Sequence, residues 1–220
     1  MTRPVRGSSP SRALVFDMDG TLIESSVVVP DAYISTIRSL GGRPIERTDV
    51  IAAYSLGPPA ALLTHFLERS ITSEELDTYH SVLGEMAHGA RPYAGISDAL
   101  SSLHDKGVRL AVFTGATVRA CRILLGRAGL LSFFDVLVGG DEVPHHKPAP
   151  DGIHLACKRL GVAPGRAAYV GDAPTDLEAA RRSGALAVAA GWGHLFRAEE
   201  EDADEVLHDP GDLLRLADFT

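Results

Sequence analysis

Several short apolar runs in this chain stop abruptly at a polar or small residue, and each is followed by a stretch with helical periodicity. Ala13-Leu14-Val15-Phe16 stops at Asp17; Val108-Arg109-Leu110-Ala111-Val112-Phe113 stops at Thr114. Phe134-Asp135-Val136-Leu137-Val138 ends at a double glycine, Ala167-Ala168-Tyr169-Val170 ends at Gly171-Asp172, and Leu186 to Ala190 is a further run. Runs this short and this continuous read as strands buried on both faces. Between them lie helical patterns over Asp98–Lys106, Val118–Arg127, Asp151–Leu160 and Thr175–Ser183, three of them followed by glycine, a common helix stop. Strands alternating with helices imply right-handed crossovers, hence an α/β, Rossmann-like parallel sheet with helices on both faces.

One stretch breaks the alternation. From Ile23 to Arg91 no convincing buried strand is present, whereas Asp31–Leu40, Ala60–Arg69 and Ser73–Gly89 look helical, with breaks at Gly41-Gly42 and Gly57-Pro58-Pro59. Extra helices of the same layer would explain it; the size of the stretch favours a helical cap inserted after the first strand. The expected division is a core of residues 12–22 and 93–220, a helical cap of residues 23–92, and a flexible N-terminal tail of residues 1–11 rich in Pro, Ser and Gly.

Composition narrows the function class. The 220 residues are 45% hydrophobic and 23% charged, ordinary for a globular protein. A net charge of −8 gives no basic footprint for a phosphate backbone, so nucleic acid is not expected as a partner. No apolar run approaches the ~20 residues of a membrane span, and the basic start has no hydrophobic signal core. Two cysteines, Cys121 and Cys157, are too few for a disulfide framework and read as small core residues. The expectation is a cytoplasmic protein, monomeric or weakly dimeric.

In an open parallel sheet, ligands bind beyond the carboxyl ends of the strands. The residues placed there are Asp17 and Asp19, Thr114, Lys147, and Asp172 with Asp176. Converging carboxylates repel unless a cation lies between them, and hard oxygen ligands suit Mg2+. A hydroxyl and a lysine beside them bind phosphate oxygens, and aspartate is a competent nucleophile toward phosphorus. Each piece also has a plain structural reading. Asp17-Met18-Asp19-Gly20-Thr21 has the composition of a turn, and Asp172 and Asp176 suit the start of a helix. Lys147 alone would be an ordinary surface lysine, and Thr114 an ordinary strand end. Their joint placement favours the functional reading.

Phe16-Asp17-Met18-Asp19-Gly20-Thr21-Leu22 resembles the first motif of the haloacid dehalogenase superfamily. Thr114 fits its second motif, Lys147-Pro148-Ala149-Pro150-Asp151 its third, and Gly171-Asp172-Ala173-Pro174-Thr175-Asp176 its fourth. The likeness covers nearly the whole chain. The long insertion before Thr114 and the short one before Lys147 resemble the phosphoglycolate phosphatase and β-phosphoglucomutase relatives. This resemblance implies a magnesium-dependent phosphatase acting on a small-molecule phosphomonoester through an aspartyl-phosphate. It implies Asp17 as nucleophile and Asp19 as general acid/base, with Thr114 and Lys147 also catalytic. It implies a phosphate cradle of Asp17, Met18, Asp19, Gly20, Thr114, Gly115, Ala116 and Lys147. The implied metal ligands are Asp17, the backbone carbonyl of Asp19, and Asp172, with Asp176 beside or supporting the ion.

Two positions depart from the pattern: Gly115 stands where Asn or Ser is frequent, and His146, preceded by His145, where Gly is frequent. The histidines would touch substrate near the cap or form a solvated loop. Trp192 would line the rim or pack. In the cap, Glu24, Tyr33, Arg43, Tyr54, Gly57 and Pro58 lie where relatives recognise substrate, and Ile23–Ser26 and Pro92–Gly95 would serve as hinges. Competing readings are a phosphomutase of the β-phosphoglucomutase type, with the same motifs, and a phosphorylatable or ligand-binding regulatory module. Receiver domains share the acidic cluster but lack the inserted helices and the Asp-x-Asp-Gly-Thr run.

Overall fold

The computed structural model describes residues 13–197 and 202–218, so the expected tail of residues 1–11 lies outside the described residues. The first apolar run is strand β1 (Ala13–Phe16). A two-residue strand β2 (Ile23–Glu24) leads to helices α1 (Val28–Ser39), α2 (Arg47–Ala52), α3 (Pro59–Leu67) and α4 (Ser73–Met86). The chain returns through β3 (Arg91–Pro92), antiparallel to β2 with Ile23 opposite Pro92. Alternation then resumes: α5 (Ile96–Asp105), β4 (Arg109–Phe113), α6 (Val118–Arg127), β5 (Val136–Val138), α7 (Asp151–Leu160), β6 (Ala167–Gly171), α8 (Pro174–Ser183), β7 (Leu186–Ala190) and β8 (Glu205–Leu207).

Six of these strands pair in the order β5-β4-β1-β6-β7-β8, every pairing parallel. This is the expected α/β, Rossmann-like sheet with helices inserted after the first strand. β1 is central because all its residues are apolar and both faces need cover. Leu14 and Phe16 enter one core cluster, while Ala13 and Val15 enter the other. β4 and β6 obey the same alternation, with Leu110 and Val112 or Ala168 and Val170 on the first side. Ala111 and Phe113 or Ala167 and Tyr169 lie on the second. The first cluster runs on into the inserted helices through residues such as Tyr33, Leu62 and Tyr79.

Some elements depart from the sequence expectation at their ends. The helical pattern over 73–89 divides into α4 and a 3-10 turn at Ala87–Gly89, and β5 is shorter than its apolar run. Among the elements that escape the periodicity are α2, the β2–β3 pair, β8, and the 3-10 segment Pro210–Asp218. α2 has six residues and little apolar periodicity; its start is fixed by the Asp49 carboxylate accepting from the Glu46 amide at 2.8 Å. β8 lies on the sheet edge, where Val188 to Ala190 of β7 supply its register. None of the described helices is long and apolar enough to cross a membrane.

Leu14 is fully buried between the sheet and its helices. Leu14→Ala is expected to cost about 2–5 kcal/mol by leaving a cavity. Urea denaturation checks this through a fall in midpoint at constant slope; an unchanged midpoint would contradict the packing.

Candidate active site

The parallel sheet carries the chain to one edge, where β1, β4 and β6 all end. Asp17 follows β1 directly, and its amide donates to the Val170 carbonyl of β6 at 2.8 Å, so its backbone is pinned by the neighbouring strand. The chain then turns sharply. Gly20 has φ +84°, and a Cβ there would overlap the Asp172 carboxylate. A glycine is needed for both conformation and closeness. Met18 points into the core, so only its backbone is available to a ligand.

Lys147 reaches across from the loop after β5. Its Nζ donates at 2.6 Å to Asp17 Oδ1 and at 2.6 Å to Asp176 Oδ1. A third contact, at 3.1 Å, is to the Tyr169 hydroxyl, which donates to the Phe113 carbonyl at 2.9 Å. Burial alone would lower the lysine pKa, but Asp17 and Asp176 outweigh it and hold the ammonium charged. Asp176 is 1% exposed in its side chain and caps α8 by accepting from the Ala173 amide at 3.0 Å. Capping and site roles therefore coexist in this residue.

Asp172 follows β6. Its Oδ2 accepts from the Leu195 amide at 2.9 Å, whereas its Oδ1 is buried without a hydrogen-bond partner. Burial first, then the Asp176 charge, pushes this carboxyl up to about 7. Burial likewise raises Asp17 well above the carboxylate range, with Lys147 opposing and Asp176 and Asp172 adding to the rise. Asp17, Asp172 and Asp176 present oxygens that all lie within 4.8 Å of one another. Three hard carboxylates, one with an orphaned buried oxygen, fit a divalent cation. The Asp19 carboxylate lies outside this group and accepts instead from the Ser25 hydroxyl at 2.5 Å.

Thr114, at the end of β4, is 1% exposed; its amide donates to the Val138 carbonyl and its hydroxyl accepts from the Ala116 amide at 3.2 Å. Thr114, Gly115 and Ala116 border a cavity of about 450 Å³ that also opens onto the carboxylates and Lys147. Of the residues named in the insertion, Tyr33, Tyr54 and Gly57 line this cavity; Glu24, Arg43 and Pro58 do not. Glu24 instead accepts from the Ser26 amide at 3.0 Å. His146 lines the cavity with Gly57 pressed on its ring, so a Cβ at Gly57 would collide with it. His145 is exposed and contacts Asp151 at 3.0 Å.

Sequence reasoning missed Tyr169 and Ser25, and left Trp192 between rim and packing. Tyr169 looked like one more strand residue, and only the register places its hydroxyl under Lys147. The loop after β7 holds Asp172: Trp192 donates to the Thr21 carbonyl at 2.9 Å, and a Cβ at Gly193 would overlap Asp172. Trp192 thus packs and clamps the first motif. The Gly-Trp-Gly run after a strand was the available signal. Ser25 carried no signal at all.

Tyr169→Phe removes a buried partner from both Lys147 Nζ and the Phe113 carbonyl. The expected loss is about 1–3 kcal/mol of stability in a chain that still folds, read from chemical denaturation. A variant as stable as the parent would show that this hydroxyl supports nothing.

Comparison with known proteins identifies the family. The sequence profile of the haloacid dehalogenase-like hydrolases matches residues 11–184. The phosphoglycolate phosphatase of Aquifex aeolicus is 31% identical over 209 residues, covering 94% of this chain and 97% of that protein. The N-acetylmuramic acid 6-phosphate phosphatase of Pseudomonas aeruginosa is 29% identical over 220 residues, covering 94% and 95%. Among solved structures, CbbY from Rhodobacter sphaeroides in complex with phosphate superposes with a TM-score of 0.84 at 25% identity, covering 95% of this chain and 100% of that one. The chain belongs to the haloacid dehalogenase-like hydrolases.

Proposed function

We infer that this protein is a Mg2+-dependent phosphatase that hydrolyses a small phosphomonoester through an aspartyl-phosphate on Asp17. The observation that carries this reading is the convergence of Asp17, Asp172, Asp176 and Lys147 at one sheet edge, bordering the cavity that Asp19 and Thr114 also line. Phosphatase relatives matched over nearly their full length support it.

In this reading Asp17, Asp172 and the Asp19 carbonyl hold Mg2+, with Asp176 beside them. The ion supplies positive charge that lets a carboxylate approach a phosphate. Asp17 attacks phosphorus with one carboxylate oxygen, and the bond from phosphorus to the alcohol oxygen breaks. Asp19, one oxygen held by Ser25, gives its proton to the departing alkoxide. It then takes a proton from a water molecule, whose oxygen attacks phosphorus and frees Asp17 and inorganic phosphate. Lys147, the Thr114 hydroxyl and the amides at Gly115 and Ala116 hold the transferring oxygens, and preorganised charge of this kind is commonly the largest catalytic term. Residues 23–92 act as a cap that closes over bound substrate, turning at the β2–β3 pair. Contacts from α4 to the core, His80 Nε2 to Thr117 Oγ1 at 2.7 Å and Asp77 to Arg119, would hold the closed form. Cytoplasmic residence is part of this reading, supported by two buried unpaired cysteines.

Asp17→Asn and Asp19→Asn should each abolish phosphate release while the far-ultraviolet circular dichroism stays unchanged. Substantial turnover by purified Asp17→Asn protein would sink the mechanism. Excess EDTA should stop release, and added Mg2+ should restore it; full activity in EDTA would remove the metal from the account.

A further inference from the structure

We propose that the alcohol portion of the substrate is uncharged, apolar and about the size of a ring, so that the physiological ester is the monophosphate of a lipophilic alcohol. This rests on the phosphatase reading and specifies what its cavity accepts. The cavity has two unlike sides. Toward the sheet edge it is ionic, with the carboxylates and Lys147. Toward the inserted helices it is walled by Val29, Tyr33, Tyr54, Leu62 and Tyr79, and Ala120 and Leu124 of α6 extend that apolar lining. Among the described residues, no Asp, Glu, Lys, Arg or His of the segment 23–92 borders it.

That composition bears on what lies beyond the phosphate. The carboxylate of a phosphorylated hydroxy acid would enter this end without a cation, at the cost of an unpaired buried charge. The cations that do line the cavity lie elsewhere. Lys147 is engaged by Asp17 and Asp176, and Arg197 is exposed, donating to the His194 and Phe196 carbonyls; the two histidines that line the cavity, His146 against Gly57 and His194, come from loops of the core. A sugar would need a partner for each buried hydroxyl. The rings of Tyr33 and Tyr79 pack at 4.5 Å between centroids, and the hydroxyls of Tyr33, Tyr54, Ser55 and Tyr79, three of them on aromatic rings, are the polar side-chain groups that the insertion brings to that wall. The volume, about 450 Å³, lies in the range that encloses ligands far larger than a two-carbon acid. A phosphomutase acting on a sugar is disfavoured on the same grounds.

The test compares primary alkyl monophosphates, whose leaving groups are of similar basicity: ethyl, hexyl and 2-phenylethyl phosphate, phosphoglycolate and glucose 6-phosphate. Each buried methylene is worth roughly a fourfold gain, so kcat/KM for 2-phenylethyl phosphate should exceed that for ethyl phosphate and phosphoglycolate by about tenfold or more, through KM. Phosphoglycolate or glucose 6-phosphate matching or surpassing 2-phenylethyl phosphate would overturn the proposal. Calorimetry on the Asp17→Asn protein with Mg2+ gives the same ranking without turnover. If no ester releases phosphate yet 2-phenylethyl phosphate binds more tightly than phosphoglycolate, the phosphatase reading fails and the apolar site stands. Equal or reversed binding overturns the apolar site whatever the turnover. Tyr54→Ala should cut the preference for 2-phenylethyl over ethyl phosphate about fivefold, as expected for loss of a large apolar contact; an unchanged preference would contradict it.

Discussion

Lys147 is the counter-ion that allows this sheet edge to exist. Asp17, Asp172 and Asp176 stand close together in a buried place, where their charges repel and water cannot screen them. One ammonium shared between Asp17 and Asp176 neutralises part of that repulsion, and Tyr169 completes its coordination from below. Breaking such a buried pair by removing one partner typically costs about 3–5 kcal/mol, since it strands a charge. What remains after Lys147 is still net negative, with one Asp172 oxygen lacking any partner. The same imbalance that makes the cluster costly makes it receptive to a divalent cation.

The fold serves that arrangement in a specific way. Three parallel strands end side by side, so residues distant in sequence meet without long loops. Asp17 is pinned by β6 through its own amide, Thr114 by β5 through the Val138 carbonyl, and Asp176 by its role at the start of α8. Asp17 and Thr114 therefore stand on backbone that the sheet fixes, and Asp176 on the start of a helix, which is the condition for preorganised electrostatics. The inserted helices add a different chemistry: they bring aromatic and aliphatic side chains to the far end of the cavity, and the two-residue β2–β3 pair is their covalent connection to the core. The ionic residues thus stand on the sheet edge and the apolar lining comes largely from the insertion.

Much of this was legible in the chain. The apolar runs ending at Asp17, Thr114 and Gly171-Asp172 read as buried strands that bring polar residues to one edge, and the Asp-x-Asp-Gly-Thr turn follows directly on the first of them. What could not be read is anything set by distant pairing. Tyr169 alternates inward like its neighbours, and nothing local distinguishes a core phenol from one beneath a lysine. The Trp192 clamp depends on a carbonyl 171 residues earlier in the chain. Within the insertion, Tyr54 and Gly57 reach the cavity while Glu24, in β2, and Pro58, just before α3, do not, because a 3-10 turn at Tyr54–Leu56 and the loop after it set these positions and leave no periodic trace.

The central claim is that Asp17 carries the phosphoryl group, and rapid acid quench of the enzyme during turnover of a 32P-labelled ester tests it directly. Protein-bound, hydroxylamine-labile label should appear at early times, map to the peptide containing Asp17 and decay as phosphate is released. Label on any other residue, or full turnover by a chain without a carboxylate at position 17, would contradict the account.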